Sequence, residues 1–186
     1  MSSRDSYESS LSKISELDRS GYQLNSVLAI TEDLTFNEID GPLAGVPILI
    51  KDNIEALGLP ATAGSLALAN TQVVRDSTIA KRLRTAGATI IGSTNLSEWA
   101  NIRSGKSTSG WSAVGGLTAN PWKHVHSAGG SSSGSGAAVG GEVDRKTRPK
   151  GDAVALRERS TIFRSFAAPP AASPSTAPCR FSRRRL

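Results

Sequence analysis

The order strand, helix, strand across residues 46–91 limits how this chain can fold more than any other feature. Val46, Ile48, Leu49 and Ile50 form a short aliphatic run behind a Gly/Pro-punctuated entry, Gly41-Pro-Leu-Ala-Gly45. That is the composition of a strand buried in a parallel sheet. Asp76 or Ser77 can cap a following helix that carries Ile79, Leu83 and Ala86 and stops at Gly87. Thr89, Ile90 and Ile91 then supply a second buried strand. A βαβ unit of this kind puts the chain in the α/β class.

The flanks read less sharply. Tyr7, Leu11, Ile14 and Leu17 fall on one stripe at helical spacing, which predicts an amphipathic helix over residues 5–20 with Gly21 just past its end. Leu24 to Thr31 is expected to be extended, followed by an acidic stretch from Glu32 to Asp40. Asn95 to Asn101 looks like the start of another helix with Trp99 on its apolar side. Beyond it, a Ser/Gly-rich stretch from Arg103 to Gly116 has Trp111 as its expected anchor. Asn120-Pro121-Trp122 reads as a turn. The run Ser127 to Gly136 is either a flexible linker or a loop holding backbone close to a ligand, and composition alone favours the linker.

Several classes are excluded at once. With Cys179 as the only cysteine among 186 residues, a disulfide scaffold is impossible. The best apolar stretch, Leu43 to Ile50, is interrupted by Gly45 and Pro47 and falls far short of the ~20 residues a bilayer requires. The polar start Met1-Ser-Ser-Arg-Asp5 shows no signal peptide, so a cytoplasmic location is expected. The net charge of +6 is unevenly spread: residues 1–141 carry −1 and residues 142–186 carry +7. The body therefore does not read as a nucleic-acid binder.

Lys51 is the first chemical candidate, because a lysine ending an aliphatic strand is either functional or paired. Burial favours its neutral form, which can serve as a general base; the plainer alternative is an amine reaching solvent or Asp52. The Gly129–Gly136 loop lacks the Gly-Lys-Ser/Thr ending of a phosphate loop. Gly130-x-Ser132-x-Gly134 has the spacing of a nucleophile elbow, but both histidines, His124 and His126, precede it, so that reading fails. A serine-rich loop working with a lysine remains. The two histidines have no cysteine and few acidic residues near them in sequence, so no metal site is expected. No role falls to Cys179.

These stretches together closely resemble the amidase signature family, in its branch of peptide amidases and general amidases. The matching segments are Gly-Pro-Leu-Ala-Gly-Val-Pro-Ile-Leu-Ile-Lys-Asp-Asn-Ile (41–54), Pro-Ala-Thr-Ala-Gly-Ser-Leu-Ala-Leu (60–68) and Ala-Gly-Ala-Thr-Ile-Ile-Gly-Ser-Thr-Asn-Leu-Ser-Glu-Trp-Ala-Asn (86–101). Ser-Gly-Trp-Ser-Ala (109–113) and Gly-Gly-Ser-Ser-Ser-Gly-Ser-Gly (129–136) continue the match in order and spacing. The resemblance implies the N-terminal part of a mixed, largely parallel sheet covered by helices, with residues 1–141 a partial domain whose core is 41–141. It also implies a Ser–cis-Ser–Lys triad. Lys51 matches the catalytic lysine and Ser131 the serine after a cis peptide bond, with Gly129, Gly130, Ser132 and Gly134 shaping the supporting loop. The implied reaction cleaves a small-molecule or peptide amide to an acid plus ammonia or an amine, without cofactor. The transamidating component of the tRNA-dependent amidotransferase, its A subunit, is the runner-up within the family.

The resemblance stops near Gly141. The family's nucleophilic serine is expected near Ala155, in a Gly-Thr-[Glu/Asp]-x-[Asp/Gly]-Gly-Ser turn that is absent after Gly136; the nearest serine, Ser160, has no glycine around it. Residues 142–186 are basic, Pro/Ala/Arg/Ser-rich and aperiodic, and are expected to be disordered or out of frame. A frameshift, an unspliced intron or a wrongly drawn gene would each produce them. A nucleic-acid-binding tail ending in Arg183-Arg-Arg185 is the rival reading. The chain as it stands is expected to be inactive. Translating the coding DNA beyond codon 141 in all three frames is expected to recover the missing turn in another frame, and its absence from all three would mean that the gene has lost its nucleophile.

Overall fold

The computed structural model describes residues 3–31 and 39–143. Nearly all of the basic tail, and with it Ala155, Ser160, Cys179 and Arg183–Arg185, lies outside the described residues, as does most of the acidic stretch after Thr31.

The central βαβ unit forms where the pattern places it. β1 (Val27–Ile30), β2 (Pro47–Lys51) and β3 (Thr89–Thr94) make a three-stranded sheet in the order β1-β3-β2. β2 runs parallel to β3, with Pro47 opposite Thr89 and Lys51 opposite Thr94, while β1 runs antiparallel to β3. The sheet is therefore mixed, and only β3 is buried along its whole length. β2 is half-buried, because within the described residues it pairs only with β3, at one end of the sheet. Its aliphatic run was expected to be buried on both faces; it lies at an edge instead.

The crossover helix α2 (Thr78–Thr85) starts where Ser77 Oγ accepts the Ala80 N–H at 3.2 Å. Asp76, the other cap candidate, instead accepts the Leu57 N–H at 2.8 Å and pairs with Arg84 at 3.2 Å. α2 turns Ala80 and Leu83 into a core with Ile50, Ala56, Leu59 and Ile90, whereas Ile79 is left about half exposed. On the opposite face Ile14, Tyr7, Val27 and Ile91 pack with Ile30 and Leu49. The N-terminal stripe thus covers the sheet as its period requires. Its helix is not one α-helix over 5–20, however: α1 (Ser3–Ile14) passes into a π-helical turn, Ser15–Ser20. Asp18 in that turn is buried and accepts Ser26 N–H and Oγ–H at 2.5 Å and Val27 N–H at 3.2 Å, which ties the turn to the start of β1.

Three further expectations change. Asn95–Asn101 does not begin a right-handed helix: Trp99, Ala100 and Asn101 all have positive φ (49°, 55° and 64°), forming a left-handed turn. Trp111 is 43% exposed and anchors nothing. It belongs to a small hairpin of β4 (Trp111–Ser112) and β5 (Gly116–Leu117), held by its neighbour Ser112, whose hydroxyl donates to Asn95 Oδ1 at 2.7 Å. The Ser127–Gly136 run is an ordered loop leading into α3 (Ser133–Val143). The Asn120 turn forms as read, with Asn120 Oδ1 accepting the N–H groups of Trp122 and Lys123 at 3.0 and 3.2 Å. Among the described residues no helix is long and apolar enough to cross a membrane.

The start of α3 is pressed against the end of β3. Gly134 N–H donates to the Asn95 carbonyl at 3.0 Å, and a Cβ on Gly134 would collide with the backbone of Ser26 and Asn95. Two glycines of the same helix carry opposite requirements here, since a Cβ on Gly136 meets open space. Gly134→Ala is expected to lower stability by about 1–3 kcal/mol or more, and Gly136→Ala to raise it by about 0.5–1 kcal/mol through helix propensity. Urea unfolding midpoints of the two variants check the contrast.

Candidate active site

Lys51 ends β2 at the carboxyl end of the parallel pair, the end of such sheets where ligands bind. Its amine donates to Ser131 Oγ at 2.8 Å and to Ser132 Oγ at 3.0 Å, across 80 residues of chain. The amine does not turn to Asp52; it takes two neutral hydroxyls. Burial lowers the Lys51 pKa below the ordinary lysine value, favouring the uncharged amine.

The loop that brings the serines there is fixed from below. The Gly130–Ser131 peptide is cis. The Ser131 carbonyl accepts the N–H of Ser97 at 3.0 Å, and Ser97 Oγ accepts the N–H of Gly110 at 2.8 Å. Gly130 lies so close over Ser97 that a Cβ there would strike its hydroxyl. Gly129 N–H donates to Ser127 Oγ at 3.0 Å. Beyond the lysine contacts the first residues of α3 point inward: Ser133 Oγ pairs with Thr118 Oγ1 at 3.1 Å and Ser135 Oγ with Thr94 Oγ1 at 2.8 Å, both pairs buried. Most buried hydroxyls in proteins are partnered, and these partner each other.

Three residues that sequence reading passed over organise this end of the sheet. Asn95 is fully buried; its Oδ1 accepts Leu96 N–H and Ser112 Oγ–H, and its Nδ2 donates to the carbonyls of Asn25 and Gly116 at 3.0 and 3.2 Å. Ser97 is equally buried. Asp52 has no exposed surface, and its Oδ2 accepts the N–H groups of Thr62 and Gly64 at 3.1 and 3.3 Å together with the Thr62 hydroxyl. Burial pushes the Asp52 pKa up, against the downward pull of those hydrogen bonds. The only sequence signal for this trio was Asp52 itself, a carboxylate next to a strand-end lysine.

His124 and His126 play no part in this arrangement. The His124 ring lies 4.8 Å from that of Tyr22, and among the described residues no group of three His, Cys, Asp or Glu side chains could hold a metal ion.

An Amidase family profile matches residues 23–143, well over half of the chain, and the protein belongs to that family. The native peptide amidase of Stenotrophomonas maltophilia superposes with a TM-score of 0.71 at 43% identity, over 75% of this chain and 31% of that one. The A subunit of the glutamyl-tRNA(Gln) amidotransferase of Thermotoga maritima superposes at 0.59 and 33% identity, over 74% of this chain and 28% of that one. Its counterpart in Salinispora arenicola is 44% identical over 61 residues, which are 33% of this chain and 12% of that protein. The chain thus spans less than a third of the length of these relatives.

The depressed pKa of Lys51 has a consequence for stability. A group whose folded pKa lies below its unfolded value adds stability above the unfolded pKa and loses it as pH falls through the folded one. Any advantage of Lys51→Met over the native chain is therefore expected to be largest near neutral pH and to shrink as pH climbs toward the ordinary lysine range. Thermal unfolding of both proteins across that range checks the sign; a margin that grows with pH would contradict it.

Proposed function

We propose that this chain carries the base and proton relay of an amide hydrolase of the Ser–cis-Ser–Lys type. The observation that carries the reading is the 2.8 Å contact between Lys51 Nζ and Ser131 Oγ beside a cis peptide bond. It lies within the range over which a base takes a proton from a hydroxyl. Neutral Lys51 withdraws the Ser131 proton while Ser131 withdraws that of a nucleophilic serine, which attacks the amide carbonyl. The proton returns to the departing nitrogen, ammonia or an amine leaves, and water then cleaves the acyl-enzyme. Lys51 and Ser131 would supply the base and the relay; the family's nucleophile turn does not occur in the sequence after Gly136, so the chain by itself is expected to be inactive.

Among family members, a stand-alone amidase acting on small-molecule or peptide amides fits better than a component of an amidotransferase. Over about three quarters of the chain, identity and superposition are higher with the Stenotrophomonas peptide amidase than with the Thermotoga A subunit. The purified chain is expected to release no ammonia from a peptide amide. A chimera in which residues 23–143 replace the matching part of the Stenotrophomonas peptide amidase is expected to hydrolyse it. In that chimera Lys51→Ala or Ser131→Ala should lower kcat by about 100- to 10,000-fold. Full activity of either variant would remove the residue from the mechanism.

A further inference from the structure

The contact between Lys51 and Ser131 is not the only link between them. A second route passes through Asp52. As β2 ends, the Asp52 N–H donates to the Thr94 carbonyl at 3.2 Å, and the Asp52 carbonyl accepts the Ala63 N–H at 3.2 Å. Its Oδ2 draws in the N–H groups of Thr62 and Gly64 and the Thr62 hydroxyl. The 62–64 turn passes the restraint on: the Ala63 carbonyl accepts Trp99 N–H at 2.9 Å, and the Gly64 carbonyl accepts Val114 N–H at 3.2 Å. Trp99 lies in the turn whose Ser97 N–H holds the Ser131 carbonyl. Asp52, Thr62 and Ser97 are all essentially without exposed surface, so water does not compete for these bonds.

We infer that Asp52 is a positioning residue, whose buried carboxyl group clamps the Thr62–Gly64 turn to the end of β2 and so sets how far the Lys51 amine stands from the Ser131 hydroxyl. The inference rests on the Lys51–Ser131 reading proposed above. Asp52 is the first residue past β2, in a turn closed by the Ile54 N–H donating to the Lys51 carbonyl at 2.9 Å, and the two neighbours divide the work: Lys51 reaches the serine loop, while Asp52 holds the framework that carries that loop. One oxygen is enough for the clamp. Three donors converge on Oδ2, while Oδ1 has no partner among the described residues. An asparagine can present that same oxygen, and an alanine cannot.

The test follows the titration of Lys51 by the 13Cε chemical shift in the full 186-residue chain, with the signal assigned through Lys51→Arg, alongside thermal unfolding. Asp52→Asn, which keeps the clamping oxygen, is expected not to raise the Lys51 titration above that of the native chain, whatever it does to the melting temperature. Asp52→Ala should move the titration up toward the ordinary lysine range, as the amine drifts from its hydroxyls into water. The sign matters, because mere loss of a neighbouring negative charge would move it down. Thr62→Val, which removes one donor to Oδ2, should give a smaller upward shift, and it decides the matter if Asp52→Ala does not fold. An unchanged or lowered Lys51 titration in the folded Asp52→Ala protein, or in Thr62→Val in its place, would overturn the clamp. So would Asp52→Asn shifting as far as Asp52→Ala. Neither readout needs turnover, so this inference and the hydrolase reading can fail separately.

Discussion

The backbone of Gly134 sits against that of Asn95, and the rest of the site follows from this close approach. α3 can begin over the end of β3 only because no side chain intervenes at Gly134. Once it does, Ser133 and Ser135 fall on Thr118 and Thr94, and the preceding Ser131 and Ser132 are left facing Lys51. A larger residue at that point would lift the helix start away from the strand. The amine at the end of β2 would then meet water rather than two hydroxyls. The apolar core, by contrast, lies lower on the sheet, around Ile50, Ala80 and Ile90 on one face and Ile14 and Ile91 on the other. The molecule therefore separates its two kinds of cohesion. Apolar burial holds the sheet to its helices, and partnered polar groups hold the functional end.

That division explains what could be read from the sequence. Periodicity reports apolar burial, and it located the β2–α2–β3 unit and the stripe from Tyr7 to Leu17 that packs on the sheet. It carried no information on the polar end, where burial belongs to Ser, Thr and Asn. Asn95 and Ser97 read as polar residues at the start of a helix, yet both are inaccessible to solvent. The left-handed turn at Trp99–Asn101 escaped for a related reason. Its residues have no glycine to announce positive φ, and tertiary contacts such as Ala63 carbonyl to Trp99 N–H hold them there. Trp111 misled in the opposite sense, since a large aromatic in a Ser/Gly stretch suggests an anchor, while the small Ser112 beside it does the holding. The approach of Lys51 to Ser131 was legible through family resemblance; position alone left Lys51 open to a plain surface role.

The two ionisable neighbours at the end of β2 are both withdrawn from water and respond in opposite directions. Desolvation lowers the proton affinity of Lys51 and raises that of Asp52, so both move toward their neutral forms. Neutral partners are what the geometry accommodates. The amine meets two hydroxyls rather than a carboxylate, and the carboxyl group meets peptide N–H groups and a hydroxyl rather than a cation. Had the two side chains paired with each other, the lysine would have been held as an ammonium ion and lost as a base. Their separate partners prevent that pairing: Ser131 and Ser132 hold the amine, while Thr62 and Gly64 hold the carboxyl group.

The base role proposed for Lys51 asks for an uncharged amine, and ordinary means favour one here. A strand-end position supplies burial of the methylene stem, and the amine emerges where α3 begins. The serines accommodate the uncharged amine, because a hydroxyl can donate to a neutral amine as readily as it accepts from a charged one. Each of these influences is modest alone. They coincide here because one backbone contact, Gly134 on Asn95, fixes the helix start, the serine loop and the strand end relative to one another.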